Sequence, residues 1–435
     1  VSAGSLLVRN ASQVVTCEGD GPADLGVIDR GAVLLRGGRV WWIGPEAEVP
    51  KAIGDVEELD AGGGCVLPGF VDAHTHLAFA GDRAAEHQAR LAGDRYQTGG
   101  IMTTVSATRA ASTEALVSET EARAWAALSS GTTTLEAKSG YGLDTDTERR
   151  LLEVLAAVGD RTPLRIVPTF LGAHLLPEPG YLDLLVEEML PACAPLAEGC
   201  DAFCDLGALS VEEARKALEA GMAHGLTPRL HAEELAHTGG ALLAAELGCA
   251  SADHLVHAND DDARALAGAG VVAVLLPATS FCLRSSYAPA ARFLGRGVTI
   301  ALATDCNPGT SYTTSMPFVI ALACSELRLS AEQAVRAATA GGAAALRRPD
   351  LGRLAVGNPG DLVVLAGERY VDLAYHPGMD RIAAVVAGGE IVKGAGPGVS
   401  GGVPRRDRPG SEGDRPGVSG GVPRRDPPGS EGDRR

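Results

Sequence analysis

No apolar run in this chain is long enough to span a bilayer: the longest, such as Ala267 to Ala278, fall well short of the roughly 20 residues required. The first residues, Val1-Ser2-Ala3-Gly4, carry no basic region ahead of an apolar core, so a cytoplasmic location is expected. Positive charge is in deficit. With 38 Lys and Arg against 55 Asp and Glu, the formal net charge is −17, which argues against nucleic acid or a membrane surface as partner. A local basic pocket for an anionic small molecule remains compatible with that balance. Paired cysteines are missing too. The nine cysteines are scattered singly, as at Cys65 and Cys249, which speaks for small buried hydrophobes in a reducing compartment rather than a disulfide framework. Without a Cys-x-x-Cys pair, a structural zinc site of that type is excluded. Aromatics are scarce at 4%, yet 45% of the 435 residues are apolar, enough to bury one large core or two smaller ones.

What is present divides the chain into three parts and a tail. Residues 1–65 contain short strand-like runs, among them Gly31–Arg36 and Arg39–Gly44 joined at Gly37-Gly38, a hairpin signal. Residues 346–393 return to the same grammar, so both ends are expected to build one composite β-sandwich domain. Residues 66–345 alternate strands with helices. Eight candidate strands cover 66–73, 132–137, 164–171, 201–206, 228–232, 250–256, 271–276 and 298–304. The intervening stretches carry helix signals, such as Ser210 and Glu213 at capping-box spacing and the apolar periodicity of 149–156. Eight such units in this span favour an α/β fold of the (β/α)8 TIM-barrel type.

A TIM barrel places reactive groups at the C-terminal ends of its strands. His74 and His76 share a face at the end of the first strand, because alternate strand residues point the same way. Glu136 and Lys138 end the second, His174 follows the third, His231 ends the fifth, His254 lies in the sixth, and Asp305 ends the eighth. Five of the ten histidines thus gather on one rim, where a merely structural set would be scattered. Three imidazoles and a carboxylate suit Zn²⁺ or Fe²⁺, and His74, His76, His231 and Asp305 supply that set. Glu234, three residues after His231, is placed to carry a proton to a leaving nitrogen, and His254 to hydrogen-bond an oxyanion. Glu234, His254 and Asp305 are the catalytic candidates. Asp72 reads as a buried hydrogen-bond partner, Lys138 as an ion-pair partner of Glu136 or a neighbour, and Cys306 as packing.

The run Pro68-Gly69-Phe70-Val71-Asp72-Ala73-His74-Thr75-His76, with His231, His254 and Thr304-Asp305, resembles the metal-dependent amidohydrolase superfamily. Within it, Phe79–Arg83, Glu136–Leu143, Thr169–His174 and Asp305–Thr310 are similar to the imidazolonepropionase family. The resemblance spans about residues 5–392. It implies hydrolytic ring opening of 4-imidazolone-5-propanoate to N-formimidoyl-L-glutamate in histidine degradation. It also implies that Arg83, Tyr141, His174, Glu234, Asn307, Gly309 and Thr310 surround the substrate. Arg83 can grip a carboxylate with two parallel hydrogen bonds; the structural alternative is a surface Arg paired with Asp82 or Glu86. Some superfamily members use two metals bridged by a modified lysine ending the fourth strand. Here that strand ends Phe203-Cys204-Asp205-Leu206, so one divalent metal per subunit is expected, Zn²⁺ or Fe²⁺/³⁺. A composite domain at the barrel edge makes a homodimer the expected assembly.

Two departures accompany the resemblance: the stretch 93–101 is shorter than usual, and Thr310 stands where Ser is commoner. Two rival readings stand beside it. Another cyclic amidohydrolase or deaminase, acting on a purine, pyrimidine or hydantoin ring, would not particularly need Arg83 and Tyr141 together. A silent binding homologue would have lost a metal ligand or Glu234, and all are present. Beyond residue 393 the chain turns to Gly, Pro, Arg and acids, with Pro397–Arg415 repeated as Pro416–Arg434 except that Arg408 becomes Pro427. Two copies with only valine as a sizeable apolar residue cannot build a solenoid, and a disordered tail without catalytic duty is expected.

Overall fold

A computed structural model describes residues 4–51, 54–94 and 98–394. The expectations for the tail, and for residues 95–97 of the short 93–101 stretch, fall outside the described residues.

Eight parallel strands form one sheet in chain order: Phe70–Asp72, Thr132–Lys138, Arg165–Ala173, Gly199–Cys204, Thr227–Ala232, Ser251–His254, Val272–Leu275 and Ile300–Leu302. Parallel neighbours require long crossovers, and helices supply them, for example Thr145–Arg161, Val211–Ala223 and Asp260–Ala269. Ser210 caps the second of these in the expected reciprocal box with Glu213. The first and last strands meet just past their ends. Thr75 bridges Cys306 in parallel, with His76 N donating to Cys306 O and Asp305 N to His74 O, each at 3.0 Å. Asp72 reinforces this seam by accepting from Thr304 N at 3.0 Å and Thr304 Oγ1 at 2.6 Å, the buried partner role expected of it. The segment that joins the barrel's two edges is therefore the His74-x-His76 segment itself.

The expected first strand, 66–73, is two strands in two different sheets. Cys65–Pro68 pairs antiparallel with Leu362–Leu365 and parallel with Gln13–Val15 in a six-stranded sheet, and only Phe70–Asp72 enters the barrel. Gly69 makes the break possible: a Cβ there would stand 2.1 Å from Thr133 Oγ1. That six-stranded sheet takes strands from both chain ends, in the order Glu390–Lys393, Ile382–Ala387, Leu362–Leu365, Cys65–Pro68, Gln13–Val15 and Val27–Asp29. A four-stranded sheet of Arg39–Pro45, Gly31–Arg36, Ser5–Arg9 and Glu57–Asp60 accompanies it. Leu6, Val8, Val33 and Leu35 of one sheet share a core with Val66, Leu362, Val364 and Val386 of the other, so the two ends form a composite β-sandwich. Its hairpin turns at Gly37-Gly38 with both φ values positive, 56° and 75°, a conformation that glycine adopts without steric cost.

All nine cysteines are free, seven of them buried. Cys306 is enclosed, and burial pushes its thiol up to about 12, as suits a packing residue. No helix among the described residues is long and apolar enough to cross a membrane.

Candidate metal centre and substrate pocket

The strand ends bring His74, His76, His231, His254, Asp305 and Glu234 together, all buried apart from partly covered Glu234. His74 Nε2 lies 3.5 Å and His76 Nε2 3.6 Å from Asp305 Oδ1, and His231 Nε2 lies 3.4 Å from His76 Nε2. Donors at bond lengths of 2.0–2.1 Å around a tetrahedral ion stand about 3.3 Å apart, close to these three separations, and the donor atoms of His74, His76 and Asp305 form one group that could hold an ion while those of His74, His231 and His254 form another. His74 Nε2 is buried with no hydrogen-bond partner, as a nitrogen reserved for an ion would be. His254 also comes within ligating distance of His74 and His231, and its Nε2 stands 3.6 Å from Glu234 Oε2.

The imidazoles are oriented from inside the barrel. Asp253 Oδ2 meets His74 Nδ1 at 2.6 Å, and Asp201 Oδ2 meets His231 Nδ1 at 3.0 Å, which turns each Nε2 toward the cluster. Lys138 sits below both carboxylates, with Nζ 2.8 Å from Asp201 Oδ2, 2.8 Å from Glu136 Oε1 and 3.9 Å from Asp253 Oδ2. The ion pair with Glu136 agrees with the sequence reading. Asp201 and Asp253 were not singled out from the sequence. Their signal is an acid at an inward-facing position of an otherwise apolar strand, a costly placement unless a charge or metal ligand answers it.

Burial sets the protonation of this cluster. It drives His74, His76 and His254 well below the ordinary histidine range, helped by neighbouring cationic groups, so all three stay neutral and able to ligate or accept. Burial also opposes a charge on His231, but Asp201 outweighs it and raises that group. Glu234 is pushed well above the carboxylate range by burial, then by Asp305 and Asp205. Asp305 rises to about 6, chiefly through burial, although Thr279 Oγ1 donates to its Oδ2 at 2.5 Å.

Backbone strain concentrates at the same place. Glu233, His254 and Asp305 have φ of 56°, 74° and 51°, values uncommon for residues with a side chain. The loop bearing Glu234 is pinned by Asp205, which accepts from Glu234 N, Leu235 N and Ala236 N at 2.6, 3.0 and 3.1 Å. Neither Asp205 nor the comparable Glu148 was expected from the sequence. Glu148 accepts from Gly140 N, Gly142 N and Leu143 N at 2.7 to 2.9 Å and so shapes the loop of Tyr141.

Around the metal cluster stand the residues expected to face a substrate. His174 follows its strand, donates Nδ1–H to Gly140 O at 2.8 Å, and stacks on His76 with ring centres 5.3 Å apart. Burial brings its pKa down to about 3, with a contribution from the His231 charge and a smaller one from Arg83. Tyr141 is buried, its ring 5.4 Å from His174 and 5.8 Å from His76. Arg83 is buried and bidentate to Glu86, so the partner named in the surface alternative is present but the surface is not. Asn307 is engaged within its own turn, accepting from Gly309 N and Thr310 N at 2.8 Å and donating to Asp305 O at 2.7 Å. It therefore fixes the wall that Gly309 and Thr310 present.

Models described as amidohydrolase family match residues 57–137 and 185–392. The imidazolonepropionase of Mycolicibacterium smegmatis is 48% identical over 397 residues, covering 89% of this chain and 98% of that protein. The chain belongs to the imidazolonepropionase family. A second family member, the imidazolonepropionase of Salinispora arenicola, is 50% identical over 393 residues, covering 88% of this chain and 98% of its own. Solved structures extend the likeness of fold beyond the imidazolonepropionases. An adenosine deaminase of Xanthomonas campestris with bound zinc aligns with a TM-score of 0.69 at 20% identity, over 90% of this chain and 93% of that one. The atrazine chlorohydrolase TrzN of Arthrobacter aurescens, complexed with zinc, gives 0.70 at 19% identity, over 89% and 95%.

Proposed function

We propose that this chain hydrolyses the cyclic amide C–N bond of 4-imidazolone-5-propanoate, giving N-formimidoyl-L-glutamate in histidine degradation. The observation that carries the reading is the convergence of His74, His76, His231 and Asp305 beside Glu234, in a chain 48% identical to an imidazolonepropionase along nearly its whole length.

In this reading His74, His76, His231 and Asp305 hold one divalent ion, zinc or iron, per subunit. Such an ion, when bound, lowers the pKa of water so that hydroxide is available near neutral pH. Glu234 takes the proton that the water loses and returns it to the ring nitrogen as the C–N bond breaks, a role its raised pKa suits. Asp305 would help to orient the attacking oxygen. His254, 3.6 Å from Glu234, stabilises the oxyanion. Neutral His174 and Tyr141 flank the ring, Asn307 holds Gly309 and Thr310 along its edge, and Arg83 receives the propanoate. Arg83 gives the −17 chain a local cation for an anionic substrate. A cytoplasmic homodimer completes the proposal.

The test supplies imidazolone propanoate, generated in place from urocanate, to metal-replete protein beside guanine, cytosine and hydantoins. Turnover of the first alone supports the reading. Turnover confined to the others would transfer it to a deaminase or another cyclic amidohydrolase.

A further inference from the structure

Arg83 stands at the N-cap of the helix Ala84–Ala92, where the helix dipole disfavours a cation and no side-chain cap forms. Its placement therefore does not serve the helix. The guanidinium runs between two glycines: a Cβ on Gly100 would lie 2.2 Å from Nη2, and one on Gly309 would lie 2.2 Å from Nη1. Glu86 takes one edge of the fork, accepting from Arg83 Nε at 2.7 Å and Nη2 at 2.8 Å. The same carboxylate accepts from Arg90 Nη1 at 2.6 Å, and Arg90 Nη2 donates to Gly309 O at 2.6 Å. Spacings of three and four along the helix bring the three side chains together. Both guanidiniums are buried, so the pairing lies outside the regime in which exposed ion pairs contribute little. A cavity of about 330 Å³ opens beside Arg83, Arg90, Thr310 and Tyr312.

We infer that Glu86 and Arg90 are positioning residues for recognition of the substrate carboxylate. Glu86 sets the orientation in which Arg83 meets an outside carboxylate, and Arg90 locks that arrangement to the adjacent Gly309 turn. Glu86 bridges two guanidiniums that would otherwise repel each other. Glu86 is thus a fixed part of the recognition wall rather than a carboxylate that competes with the substrate. The inference rests on the assignment of Arg83 made above.

The experiment measures competitive inhibition of metal-replete protein by imidazole-4-propanoate and by its neutral carboxamide, in the wild type, Glu86→Gln and Arg90→Met. In the wild type the anion binds more tightly than the amide. In Glu86→Gln the inhibition constant of the anion rises about tenfold, the size of one lost charge-assisted hydrogen bond, while that of the amide stays within twofold. Arg90→Met shifts the ratio in the same direction, and KM rises more than kcat falls in both variants. Tighter anion binding in Glu86→Gln would show that Glu86 competes with substrate and overturn the inference. Equal weakening of anion and amide would also overturn it, as a general structural effect. A wild type that does not prefer the anion refutes the assignment of Arg83 and the inference with it, whereas an unchanged preference in Glu86→Gln refutes the inference alone.

Discussion

Lys138 Nζ lies 2.8 Å from Asp201 Oδ2, with neither side chain reaching solvent. Burial works against the charged lysine, yet Asp201, Glu136 and Asp253 together raise its pKa, and Asp201 is drawn low by His231 and Lys138 in spite of its own burial. The pair is charged on both sides, and two metal-ligand candidates lean on it through Asp201 and Asp253. Lys138→Met is expected to reduce metal affinity by about 10- to 100-fold, the usual effect of losing a group that orients a ligand. Competition with a chromophoric chelator measures this directly. Unchanged affinity in a folded variant would mean that the two aspartates hold the imidazoles unaided.

Removal of the ion tests the donor set. Dialysis against a strong chelator should abolish turnover, and either zinc or ferrous iron should restore it at one equivalent per chain, as mass spectrometry and titration would report. Two equivalents bound per active chain would contradict the single centre proposed for His74, His76, His231 and Asp305.

Glu234→Gln keeps the size of the side chain and its 3.6 Å approach to His254 but cannot carry a proton. Its kcat should fall by about 10²- to 10⁴-fold with metal content unchanged, the range expected for loss of a general acid or base. Metal analysis alongside steady-state kinetics separates this outcome from loss of the ion.

Asp72 predicts a pH dependence of stability. Burial raises its pKa from 3.8 to about 7, against the lowering effect of its hydrogen bonds from Thr304. Between about pH 4 and 7 the folded state then binds more protons at this site than the unfolded state, so its contribution to stability declines as pH rises through that window. Asp72→Asn should flatten that part of the profile. The comparison is Tm against pH for the two proteins without metal, and parallel curves would rule out the assignment.

The sequence was most informative where periodicity and chemistry agreed. The alternation of strands and helices over 66–345 announced the barrel, and the placement of His74, His76, His231 and Asp305 near strand ends announced the cluster. It was least informative where one short segment serves two sheets: Pro68 and Phe70 read as one strand because both are apolar, and pairing partners about 300 residues away, at 362–364, separate them. The acids that orient the site were equally hidden. Asp201, Asp205, Asp253 and Glu148 lie far in sequence from the groups they hold, and no local pattern links an acid to an imidazole on another strand.

The sequence by itself determined the fold class, the donor types of the candidate metal cluster and the family, because these depend on residue chemistry at regular spacing. Tertiary structure decided that the His74-x-His76 segment closes the barrel seam against Asp305 and Cys306, that Lys138 supports two imidazoles through two carboxylates, and that Arg83 is buried between Gly100 and Gly309 in the grip of Glu86. The physical reason is that orientation within a few tenths of an ångström comes from long-range hydrogen bonds and close packing, which only the folded chain assembles.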